Sequence, residues 1–283
     1  MVLESVVDPA TARSNPLKIV ALSFIFVTLA VFATLFLNTR ESSILLVLFV
    51  VLPSVPFLLK LFSFEEEDFE AKPARVAGSR TIARHLPTIV VLLAYFAGIT
   101  AAFTFWYLWL PAADSGRLFA TQVTELESVR ANFQGMLVDA PAAFNLSAFE
   151  VLFFHNLQVL LIVVALSLLY GAGAVFVLVW NASVIAVFLG SIVQIAVLHD
   201  PAGGVLSGLG YGVLGILPHG FFELLAYLTT ALSGGILSQA IVKRIYSKPV
   251  FTQIFYDAMK LFAWAIVFLA VGALIESTGI PPA

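Results

Sequence analysis

The stretch GILPHGFFELLAY, Gly215 to Tyr227, sets a proline, a histidine, a glycine and a glutamate inside an otherwise apolar run. A membrane helix would carry leucine or valine at those places. The run extends from Gly204 to Ile241, which is long for one straight crossing and short for two, since about 20 residues span the hydrocarbon. Glycines at 203, 204, 208, 210, 212 and 215 open it. Gly204, Gly208 and Gly212 have the four-residue spacing that lets helices approach closely, and together with Gly215 they also suit backbone that leaves the helix. Pro218 then removes a donor. The reading is one crossing with a broken or re-entrant glycine-rich segment. A helix starts at His219 or Gly220, and Glu223 meets its positive end. The four-residue gap puts His219 and Glu223 on one face.

The rest of the chain supports an all-α, polytopic membrane bundle. Of 283 residues, 61% are hydrophobic and 11% charged, with a mean hydropathy of +1.03. Soluble domains carry roughly 25% charged residues. Cysteine is absent, which excludes disulfides, thiolate metal sites and cysteine nucleophiles. The apolar run after the polar first 16 residues is too long for a signal-peptide core and reads as a retained first span. Further runs bring the expectation to about seven spans: 17–37, 44–62, 87–110, 157–180, 182–198, the 204–241 region and 261–275. The organisation predicted from them is an N-terminal two-span hairpin (1–62), a charged cytoplasmic loop (63–86) and a core membrane domain (87–283). The core carries an outer amphipathic connection at 111–147.

With one crossing at 204–241 and the N-terminus inside, eleven of the fourteen lysines and arginines fall on the inner side. That bias predicts a cytoplasmic N-terminus and an outer C-terminus in the cell membrane. The loop FEEEDFEAKPARVAGSRTIARHL carries acids first and bases after, and reads as a solvated segment near lipid or a docking segment for a protein. In the outer connection Phe119, Val123, Leu126, Val129, Phe133 and Leu137 recur every three or four residues, as in an amphipathic helix. Ser147 and Glu150 have capping-box spacing, so a helix is expected to start near Ser147.

The ionisable residues at membrane depth are few, and each needs a partner. His219 and Glu223 supply at most two metal ligands; His155 would be a third only if its span met theirs at one depth. No HExxH or GxSxG occurs. No metal or cofactor is expected, and no nucleic-acid partner. The partners expected are the lipid bilayer, a second copy of the chain, and proteins at loops 63–86 and 112–147. The glycines of 204–215 and Ser233–Gly235 predict at least a homodimer, although they serve equally within one chain.

ILPHGFFELLAY resembles the signature of the stage II sporulation protein M family, at Pro218, His219, Gly220 and Glu223. Upstream, Asn156, Gly171, Gly173 and Asn181 resemble that family's asparagines and mid-span glycines. The resemblance runs from about 85 to 275. It implies an integral membrane protein that organises other proteins, as the spore-forming members hold cell-wall hydrolases during engulfment. Asn156 and Asn181 are therefore expected to approach Glu223. Two other readings stay open: a transporter or channel using a buried His219/Glu223 site, and an intramembrane metal-dependent hydrolase.

The charge bias yields a direct test. A cysteine at Ser128, alone in this cysteine-free chain, is expected to react with an impermeant maleimide on intact cells. Reaction only after permeabilisation would invert the orientation.

Overall fold

The computed structural model describes residues 8–71, 81–137, 144–170 and 173–278. Among them are ten α-helices and no strand: α1 (Pro9–Ser14), α2 (Pro16–Leu37), α3 (Ser42–Ala71), α4 (Thr81–Trp109), α5 (Ala112–Leu118), α6 (Ala120–Leu137), α7 (Leu146–Tyr170), α8 (Ala174–His199), α9 (Gly204–Val242) and α10 (Val250–Ser277). Seven of these, α2, α3, α4, α7, α8, α9 and α10, are long and apolar enough to cross a membrane. The protein is a multi-pass helical bundle. Its outside is apolar, as lipid requires: Leu29, Phe32 and Phe36 on α2 and Leu161, Ile162 and Leu169 on α7 are all exposed.

Helix α9 is the axis. It packs most extensively on α10, then on α8 and α7, and it also touches α3 and α4. Its second half, Ala226 to Ala240, is almost wholly buried. The broken or re-entrant segment expected here is absent, for α9 is one 39-residue helix that runs through Pro218. At 1.5 Å per residue it is about 58 Å long, well beyond the hydrocarbon. Pro218 is exposed. It forgoes one backbone hydrogen bond and crowds the carbonyl four residues earlier, a cost that the packing of α9 on α8, α7 and α10 offsets. Glu223 accordingly lies in mid-helix, not in a first turn.

The glycine ladder keeps α9 straight beside α8. A Cβ on Gly204 would sit 2.6 Å from the Ala196 backbone, one on Gly208 2.7 Å from Val193 Cα, and one on Gly212 2.8 Å from a Leu189 methyl. These three glycines are thus used within the chain, which removes them as an argument for a dimer. Gly215 is half-buried. Gly173, at the entry to α8, would place a Cβ 2.3 Å from the Leu166 carbonyl oxygen, so the tight α7–α8 connection needs glycine there. Gly171 lies outside the described residues.

The N-terminal spans do not stand apart. α2 lies along α4, and α3 against α8 and α9. Hydroxyls on these helices bond back to their own carbonyls, Ser23 to Ile19, Thr34 to Ala30 and Ser54 to Val50. That spares them an unpaired group in lipid. Where a charged loop is expected over 63–86, α3 continues to Ala71 and α4 begins at Thr81; 72–80 lie outside the described residues. At the foot of α9 the Lys243 ammonium donates to Glu66 (2.7 Å) and Glu67 (2.8 Å) of α3. Burial opposes that charge, but the two hydrogen bonds outweigh it and hold the Lys243 pKa above the ordinary lysine value. This contribution to stability is present at neutral pH and is lost only as pH rises through that value.

The outer connection is helical. Phe119 is fully buried against Phe103 and Tyr107, and Leu126 is buried as well. The stripe therefore packs on the protein's own helices, α3 and α8 among them, as far as its side chains are described; Val129, Phe133 and Leu137 are beyond that limit. α7 begins at Leu146, and its cap is Asn145, whose side chain accepts from Ala148 N (3.1 Å). The expected Ser147/Glu150 box does not form it, because both side chains are exposed.

The glycine ladder separates two otherwise identical substitutions. Gly208→Ala forces α8 and α9 apart and is expected to destabilise by about 1–3 kcal/mol. Gly210→Ala, with nothing within 4 Å, is expected to be neutral or to stabilise by up to about 1 kcal/mol. Thermal unfolding in one detergent measures both.

Candidate functional site

Glu223 is held from across the bundle. Asn156 of α7, 8% exposed, donates through Nδ2 to Glu223 Oε1 (2.8 Å) and accepts at Oδ1 from the Tyr227 hydroxyl (2.6 Å). Glu223 and Tyr227 are one turn apart on α9, so a single asparagine bridges two groups on one helical face. The amide suits this role because it is donor and acceptor at once. The third wall is α10. A Cβ on Gly272 would lie 3.0 Å from Glu223 Cγ and 3.2 Å from the His219 carbonyl oxygen, so the glycine lets α10 pass close to the site. Glu276 follows one turn beyond Gly272 on α10 and is half-buried.

The residues singled out by sequence divide accordingly. Asn156 and Glu223 meet. His219 and Gly220 lie half-buried on the preceding turn, and Pro218 is exposed. Asn181 does not approach Glu223: its Nδ2 donates to the Val177 carbonyl of its own helix (2.8 Å). His155 is exposed on α7. Among the described residues no group of three or more histidines, aspartates or glutamates is placed to hold a metal ion. His219, Glu223 and His155 are therefore not brought together as a three-ligand group. Tyr227 and Glu276 were not singled out by sequence. Tyr227 stands four residues after Glu223 in the opening stretch, and that spacing was the available signal.

A second polar cluster lies at the other end of the bundle and has no signature in the sequence. His85 of α4 is 1% exposed and sits between two buried carboxylates. Its Nδ1 contacts Glu65 of α3, and its Nε2 contacts Asp257 Oδ2 of α10 (2.7 Å). Arg13 of α1 pairs with Glu65, and Arg84 of α4 pairs with Asp257. Thr88 donates to Glu65 and accepts from Arg13 Nη2 (2.8 Å), while Thr81 reaches Asp257 (3.4 Å). The Arg13 guanidinium also lies over the Phe64 ring, 4.5 Å from its centroid.

Comparison with known proteins gives a family match whose extent encloses Glu223. Residues 88–279, enclosing α7 to α10 and the whole Asn156–Glu223–Tyr227 site, match the family described as Stage II sporulation protein M. The chain belongs to the stage II sporulation protein M family. An uncharacterized protein of Methanocaldococcus jannaschii is 27% identical over 125 residues, 43% of this chain and 65% of that relative. The chain thus spans less than two thirds of that relative's length. No solved structure matches. Glu65 and His85 precede the stage II sporulation protein M match, whereas Asp257 is inside it.

Two substitutions test the bridge. Glu223→Gln keeps an oxygen to accept from Asn156 and is expected to unfold within about 1 kcal/mol of the parent. Asn156→Leu strands both Glu223 and Tyr227 and is expected to cost about 1–3 kcal/mol for each group left unpaired. Denaturation of the purified protein in mixed micelles compares them.

Proposed function

We propose that this protein is a non-enzymatic membrane organiser that holds other envelope proteins in place during membrane remodelling. Family membership supports the reading, and one structural observation carries it. The Glu223 carboxylate, in the family-matched region, is engaged by Asn156, which also takes the Tyr227 hydroxyl. Such bonding suits a rigid platform, with α7 tied to α9 and α10 packed closely against them at Gly272. Partners would then dock outside the bundle. The described surface best suited to them is the outward side of α6, where Thr124, Glu125, Glu127 and Ser128 are exposed on a helix whose other side is buried. With the N-terminus inside, that surface faces the exterior, where envelope proteins lie.

A transporter or channel for a small solute or ion is the second reading, favoured by the nearness of Glu223 and Glu276 on two packed spans. Paired carboxylates between spans are a common way to hold a cation or pass a proton.

The two readings part experimentally. Cross-linked protein is recovered from native membranes, and its captured partners are identified. The organiser reading expects a defined envelope protein, lost when Thr124, Glu125, Glu127 and Ser128 are replaced together by alanine and kept in Glu223→Gln. The transport reading expects solute or proton flux in proteoliposomes that Glu223→Gln abolishes. Flux without a partner would overturn the organiser.

A further inference from the structure

The His85 cluster is built so that a proton decides whether it holds. Carboxylates only accept hydrogen bonds once ionised, and a neutral imidazole has one N–H. His85 nevertheless presents both ring nitrogens to carboxylate oxygens, Nδ1 to Glu65 and Nε2 to Asp257. One proton more than a neutral imidazole with two ionised acids carries is therefore needed for both contacts. It resides on the ring or on one of the acids.

Charge balance does not require that proton. Arg13 already faces Glu65, and Arg84 already faces Asp257. Among the described residues, these two cations and two anions already pair with each other whether the side chain between them is charged, neutral or apolar. The described charged and titratable groups around the ring come from four helices: Arg13 of α1, Glu65 of α3, Arg84 of α4 and Asp257 of α10. Next along α3, Glu66 is engaged by Lys243 at the foot of α9. A metal ion does not replace the proton, because the two acids lie on opposite sides of the ring and do not converge on one point.

The location gives the proton mechanical consequence. α3, α4 and α10 touch one another only sparsely, in contrast to the long α9–α10 and α2–α4 seams. At this end of the bundle the imidazole joins α3 to α10 through α4, beside the Thr88–Glu65 and Arg84–Asp257 contacts that link the same helices. It also joins the segment before the family match to the segment within it.

We propose that Glu65, His85 and Asp257 form a proton-binding site whose bound proton latches α4 to both α3 and α10. When the proton leaves, the imidazole keeps one N–H. The other nitrogen then faces an acceptor at hydrogen-bonding distance, and that contact becomes repulsive. No bond other than N–H or O–H is made or broken, and the proton goes to solvent by way of the partly exposed arginine flank, where Arg13 is 20% and Arg84 23% exposed. The inference is independent of whether the protein organises partners or moves a solute.

The test uses the full chain in nanodiscs with its histidines labelled with nitrogen-15, the His85 signal being assigned from its loss in His85→Gln. The spectrum and the thermal unfolding midpoint are followed from about pH 5 to about pH 9, which spans the window in which histidine side chains change charge. The proposal expects His85 to pass from two hydrogen-bonded ring nitrogens to one over that range. The midpoint should fall along the same titration, because stability drops as a proton held only by the folded state is removed. Glu65→Gln can donate its own amide to a neutral ring, so its midpoint should lose this pH dependence, as should that of His85→Gln. A His85 spectrum constant over the range overturns the proposal without any variant. So does a fall in midpoint of the same size in the wild type and in both variants, since other buried acids such as Glu223 are common to all three. If Glu65→Gln fails to fold, the wild-type spectrum and midpoint decide the matter alone.

Discussion

Inside a bilayer every backbone group must find its partner within the protein, and α9 meets that demand for 39 residues. The other spans depend on this. α8 lies against its glycine ladder, α7 delivers Asn156 to its midpoint, and α10 passes it at Gly272. A helix interrupted at Pro218 would present these three neighbours with two short pieces at an undefined angle. One continuous helix gives them a common axis. The cost is one missing backbone hydrogen bond and a crowded carbonyl at Pro218.

The polar groups follow the same logic at two levels. Serines and threonines in the spans bond to carbonyls of their own helix and add little between helices, as Thr100 does to Phe96 and Thr104 to Thr100. The exceptions bridge helices: Ser233 donates to the Ala258 carbonyl of α10 (2.7 Å), and the Trp106 indole donates to Thr28 of α2 (3.1 Å). Larger polar side chains are grouped into two sites, Glu223 with Asn156 and Tyr227, and Glu65 with His85 and Asp257. A charged side chain in hydrocarbon costs at least about 2.5–3.5 kcal/mol on insertion scales. Each of these two carboxylate groups instead has a donor supplied by a neighbouring helix.

Much of this was legible in the sequence, for a physical reason. Hydropathy reports a property each span carries by itself, so the number of crossings could be read locally, but the break expected at Asn181 is misplaced: α7 ends at Tyr170 and α8 begins at Ala174, because an unbroken apolar run does not mark where one span stops. The His-Gly-x-x-Glu element drew attention to Glu223, and the expected approach of Asn156 is seen as a hydrogen bond to it. Three other things were not legible. Pro218 reads as a helix breaker because it lacks an N–H and its ring crowds the carbonyl of its own preceding turn; the packing of α9 on its neighbours, which local sequence does not record, holds one helix through it. Asn181 satisfies itself on the preceding turn, an outcome that spacing alone does not distinguish from a bridge. The run around Glu65 and His85 looks like a solvated loop, because acids near histidine and arginine are what loops contain. Its partner Asp257 is 172 residues away from His85. Buried charge is a relation between distant residues, and local composition does not record it.

The most direct measurement of the central claim is the end-to-end length of α9. Spin labels at Leu206→Cys and Val242→Cys, both exposed in a chain with no native cysteine, can be compared by pulsed electron resonance in nanodiscs. A continuous helix predicts one narrow distance near 50–55 Å, from about 1.5 Å per residue. A distribution centred below about 40 Å would mean that the chain turns back or unwinds near Pro218, and would contradict the account.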